Sequence, residues 1–140
     1  MKAAIAIIAL FFVGQAMAIP AAINGTYVGG MKVKSADGEI VEMMLETVIE
    51  NGKVTSKFGE TEFSMQATAV RDAAGQYAIS VEGQATGRGV CMTTWCSYEL
   101  ELPGLVNKET IILRDGKMHR IGVNIQGEDL KIYEAVLEKQ

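Results

Sequence analysis

Few residues in this chain are of types that do chemistry, and the most distinctive of them sit together. Both cysteines and the only tryptophan fall within Cys91-Met92-Thr93-Thr94-Trp95-Cys96. Three chemistries are open to such a pair. A redox couple takes the spacing C-x-x-C, which four intervening residues do not match. A soft-metal site for Cu(I) would draw on Cys91, Cys96, Met92 and either Met118 or His119, and it needs reduced thiolates. A disulfide needs an oxidising compartment and two opposed hairpin positions, whose Cα atoms in a non-hydrogen-bonded pair lie about 4.5 Å apart, within disulfide range. The disulfide is the expectation, with no metal and no cofactor.

No catalytic set is evident elsewhere. His119 is the only histidine. By alternation it shares a strand face with Ile121, Val123 and Ile125, which suits a core or rim residue. The sequence contains no G-x-S-x-G elbow, no H-E-x-x-H and no glycine loop that cradles phosphate. Gly87-Arg88-Gly89 lies in a strand pattern with no helix after it. Glu42, Glu46, Glu50, Glu99 and Glu101 alternate along strands as a solvated face would. The expectation is a protein that is not an enzyme.

The first eighteen residues set the compartment. Lys2 is followed by an apolar run from Ala3 to Val13 and then by Ala16-Met17-Ala18, the small-residue form of a cleavage site. This is the layout of a secretory signal peptide cut after Ala18. Its apolar run falls short of the roughly 20 residues that span a bilayer. Residues 19–140 then form one domain in the periplasm or outside the cell, with no membrane anchor. Of the 13 basic residues only Lys2 is lost with the leader, so 17 acidic residues face 12 basic ones. That balance speaks against nucleic acid as a partner.

The mature sequence alternates with period 2 and carries turn signals every eight to twelve residues, as in all-β sandwiches and barrels. Strands are expected at 25–34, 40–50, 53–58, 62–71, 76–91, 96–102, 110–114, 117–125 and 130–138, the long fifth one bending at its glycines. Asn51-Gly52 marks a two-residue hairpin that pairs Glu46 with Lys57 outside and Ile49 with Val54 inside. A five-residue loop from Ser35 to Glu39 pairs Lys32 with Glu42 and Val33 with Val41. Asp115-Gly116 sets Leu113 against Met118. Opposing Cys91 to Cys96 leaves a four-residue tip and sets Gly89 against Tyr98 and Gly87 against Leu100. Leu45, Ile49, Phe58, Phe63, Met65, Ile79, Val81, Tyr98, Leu100, Ile121 and Val123 are the expected core. The fold expected is an antiparallel up-and-down β-barrel of about eight to nine strands, with a two-sheet sandwich as the alternative.

The opening strand Asn24-Gly25-Thr26-Tyr27-Val28-Gly29 and the closing Leu130-Lys131-Ile132-Tyr133-Glu134 resemble the first and last staves of lipocalin-like (calycin) barrels. The resemblance implies binding as a class and no particular residues. Three functions follow as expectations. In the first, Met92, Thr93, Thr94 and Trp95 form a stapled recognition loop for an unknown protein, as an inhibitor would. In the second, the barrel carries a small apolar ligand. In the third, the cysteine loop holds copper. Trp95 serves as an anchor in the first and as a lid on the barrel end in the second.

Overall fold

The structure is a computed structural model and describes residues 20–140, apart from the side chains at positions 69, 70 and 85. The expected leader and the cut after Ala18 lie outside these residues. A short 3-10 turn, Ala21–Ile23, precedes ten strands: β1 Gly25–Ser35, β2 Ile40–Glu50, β3 Lys53–Phe58, β4 Thr61–Arg71, β5 Tyr77–Val81, β6 Gln84–Met92, β7 Trp95–Leu102, β8 Leu105–Arg114, β9 Lys117–Gln126 and β10 Asp129–Lys139. Each strand pairs antiparallel with the next, and β1 pairs antiparallel with β10, so the sheet closes into a barrel. An even strand number is what permits this, because a meander of nine would bring its first and last strands together parallel.

The tenth strand comes from a turn inside the expected fifth. Glu82 and Gly83 both take left-handed φ values, 51° and 78°. Two such residues in succession make the mirror-image turn that suits the twist of a hairpin. The chain therefore reverses at Gly83 where the sequence suggested a bend. Asn51-Gly52 and Asp115-Gly116 adopt the same left-handed pair. The paired registers are those expected: Ile49 with Val54, Lys32 with Glu42, Leu113 with Met118, and Cys91 with Cys96. Lys57 and Glu46 form an ion pair of 3.5 Å on the outer wall.

Turns at 51–52, 72–76, 93–94 and 115–116 mark one end of the barrel, together with both ends of the described chain. That end is filled. Ile23 plugs it, held by the Tyr27 hydroxyl, which donates to the Ile23 carbonyl at 2.9 Å. Ile49, Val54, Met65, Ile79, Cys96, Ile111, Met118 and Leu137 pack around the plug and are almost wholly buried. The void left among them is about 30 Å³, room for a single water.

Two expected core residues are not in the core. Ile121 is 55% exposed, and Val123 shares its outward face. The strand β9 is inverted relative to expectation, with its apolar face on the outer wall and Met118, Arg120, Gly122 and Asn124 inside. The other nine expected core residues are buried or packed against the core.

Candidate functional site

Halfway up the barrel the interior changes character. Arg120 on β9 reaches across the lumen. Its Nε donates to Glu109 Oε2 at 3.0 Å and its Nη2 to Glu109 Oε1 at 2.6 Å, a two-pronged pairing with β8. Its Nη1 donates to Thr47 Oγ1 at 2.8 Å and Ser56 Oγ at 2.7 Å on the far wall. Thr47 and Ser56 sit directly opposite each other on β2 and β3, so one nitrogen serves both. The Tyr98 hydroxyl donates to Glu109 Oε1. The side chain of Glu109 has no exposed surface, and that of Arg120 is 8% exposed.

A second polar group lies beside this one. Asn107 Nδ2 donates to Asn124 Oδ1 at 2.6 Å and to the Tyr133 hydroxyl at 2.9 Å. Tyr133 reaches that far because it faces Gly122 across the β9–β10 pair. A Cβ at Gly122 would lie 2.3 Å from the Tyr133 hydroxyl oxygen, so the ring occupies space that only glycine leaves open.

Burial sets the ionisation of these groups. It raises Tyr98 well above the usual phenol range, and the Glu109 charge beside it adds to the effect. Tyr133 is raised for the same two reasons. Burial alone would weaken the charge on Arg120, but the Glu109 carboxylate outweighs it and holds the guanidinium protonated.

Above this floor lies a cavity of about 370 Å³, open toward the other end of the barrel. Its walls are apolar: Met31, Val33, Met43, Leu45, Phe58, Phe63, Leu100, Leu102 and Leu105. Arg120, Ser56, Tyr98, Asn107, Asn124 and Tyr133 reach it from below, while Glu109 and Thr47 lie behind them. A concave apolar space with a few converging polar groups is the usual form of a small-molecule site, commonly about 300–1,000 Å³. Comparison of the chain with protein families, with curated proteins and with solved structures finds no match.

The expected loop residues occupy the filled end, away from this cavity. Cys91 and Cys96 are joined, with their Cα atoms 4.1 Å apart. Both sulfurs are thereby committed; of the two residues named as alternatives for a further copper ligand, Met118 points inward and His119 outward. Met92 and Trp95 pair as the last rung of the hairpin, so the tip is the two residues Thr93-Thr94, not four. Neither threonine takes a left-handed φ, which is why no glycine or asparagine is needed. The Thr94 carbonyl accepts from the Leu113 amide at 2.7 Å, tying the tip to β8. Met92 is 61% exposed, Thr93 and Thr94 are exposed, and Trp95 is half-buried. Since Cys96 points inward, Trp95 lies on the outer wall, opposite Ile112 on β8. It does not plug the barrel; Ile23 does.

Sequence reasoning missed Arg120, Glu109, Thr47, Ser56, Asn107, Asn124 and Tyr133. A signal existed. Pro103-Gly104 is a turn pair, with Gly104 at φ 76°. Starting β8 immediately after it pairs Tyr98 with Glu109 and Leu100 with Asn107. The inward face of β7 then carries over to Glu109 and onward to Gly122 on β9.

Proposed function

We propose that this chain is an exported, non-catalytic binding protein that carries a small, largely apolar ligand in the open half of its barrel, as lipocalin-like proteins do. The cavity of about 370 Å³ over a polar floor carries this reading. Eight strands enclose an interior that side chains can just fill. Ten enclose more, and this chain fills only one end. Glu109 turns its oxygens to Arg120 and Tyr98, away from the cavity, which suits a carrier and leaves that carboxylate no role as a base. The signal-like pattern of the first eighteen residues supports a place in the periplasm or outside the cell.

The test is fluorescence of the neutral apolar probe N-phenyl-1-naphthylamine, which brightens on entering an apolar site. Wild-type protein should enhance and saturate it. Leu102→Trp, which fills the mouth from a half-buried wall position, should remove the enhancement while leaving the melting temperature near that of wild type. A wild type that fails to bind the probe, or a Leu102→Trp variant that binds it unchanged, overturns the reading.

One observation favours a second role for the disulfide hairpin. Met92, Trp95, Ile112, His119 and Val136 form one outward row across β6–β10. In this reading Trp95 anchors a protein partner against that row, next to the exposed Met92.

A further inference from the structure

The floor of the cavity carries a charge balance that discriminates among ligands. Among the described residues lining the space Arg120 is the one cation, while Glu62 stands at the rim on the outward face of β4, opposite Lys57. The charge of Arg120 is already matched, because Glu109 grips it from behind with both carboxylate oxygens. Of the five N–H groups on a guanidinium, four are taken: one each by Glu109 Oε2, Glu109 Oε1, Thr47 and Ser56. A single Nη2 hydrogen remains. The neighbouring amides are engaged through Asn107 Nδ2 and Asn124 Oδ1, which leaves the Asn107 carbonyl oxygen and the Asn124 amino group for a ligand. The floor thus offers donors from Arg120 Nη2, the Asn124 amino group and the Ser56 hydroxyl, whose own proton is not used in accepting from Arg120, with one amide acceptor and no uncompensated positive charge.

We propose that the cavity selects amphiphiles with an uncharged hydrogen-bonding head, such as a primary alcohol or a carboxamide, and rejects the carboxylate of the same chain. The proposal rests on the cavity being the binding site. A hydroxyl or amide head both donates and accepts, as the floor requires. A carboxylate only accepts, so the Asn107 oxygen would face another acceptor. It would also enter as a second anion, with Glu109, around one cation. An anion moved from water into an apolar site without its own counter-charge is costly, whereas a neutral polar head loses only hydrogen bonds that the floor replaces.

The experiment is displacement of the bound naphthylamine probe by decanol, decanamide and decanoate, at equal chain length and neutral pH. Decanol and decanamide should displace it at concentrations at least about tenfold below decanoate. In Glu109→Gln the carboxamide keeps acceptor contact with Arg120 but frees its charge, so the order should shift toward decanoate. Decanoate competing as well as decanol in the wild type overturns the proposal and leaves the cavity reading standing. A neutral preference undiminished in folded Glu109→Gln also overturns it. If no member of the series displaces a bound probe, the cavity reading itself fails. The wild-type series decides the matter even where the variant does not fold.

Discussion

Arg120 and Glu109 are each acceptable inside the barrel only because the other is there. Removing one partner of a buried ion pair leaves the other charge stranded and costs about 3–5 kcal/mol, whereas exchanging both for uncharged residues costs far less. Arg120→Met should therefore lower stability by several kcal/mol in urea denaturation, and Arg120→Met with Glu109→Gln should recover part of the loss. A double variant less stable than Arg120→Met would mean the pair is not coupled as drawn. The tyrosines add a pH dependence at the same scale. Tyr98 and Tyr133 hold their protons more tightly in the barrel than in the unfolded chain. Their contribution is complete below the ordinary phenol value of about 10. Above it the unfolded chain releases protons that the folded barrel keeps, so stability falls as pH rises further. Denaturation midpoints measured at rising alkaline pH should decline, and more weakly in Tyr98→Phe. Equal slopes in the two proteins would remove Tyr98 from this account.

At the scale of the strand, what was legible in the sequence depended on whether each turn announced itself. Asn51-Gly52 and Asp115-Gly116 did, and every partner in those hairpins follows from them. Glu82-Gly83 did not, because glutamate seldom takes a left-handed φ, and two strands read as one long one. The greater loss came on β8. The strand expected at 110–114 omits the polar residues Asn107, Lys108 and Glu109, which β8 includes. That severed the register linking β7 to β9. Without that register, apolar character alone points Ile121 and Val123 inward and hides the polar floor. Hydrophobic patterning misleads wherever the interior is itself partly polar. The inversion of β9 has a direct test: Ile121→Lys should be tolerated to within about 0.5 kcal/mol as a surface change. Leu100→Ala on β7, almost wholly buried, should cost roughly 2–5 kcal/mol. Similar costs for the two would return Ile121 to the core. On the disulfide hairpin, Trp95→Ala should shift the melting temperature little, because Trp95 lies outside the barrel. A fall of many degrees would mean it holds the wall together and is no free anchor for a partner.

For the whole molecule the decisive feature is the β1–β10 closure, where Tyr27 stands opposite Lys139 and the Gln140 amide donates to the Thr26 carbonyl at 2.9 Å. These contacts join the two ends of the described chain. Until the last strand arrives, β1 and β9 each present an unpaired backbone edge, the kind of surface that recruits other chains. A chain lacking residues 129–140 should consequently collect in the insoluble fraction, while full-length protein stays soluble. The same adjacency means that a short linker could join residue 140 to residue 20, with new ends opened in the loop at 36–39, and the barrel would keep every rung. For a protein threaded out of the cell N-terminus first, as the export reading has it, the strand that locks the barrel is also the last of the ten to emerge. The barrel then cannot close ahead of its own passage, and the moment of translocation and the moment of folding are tied by topology alone.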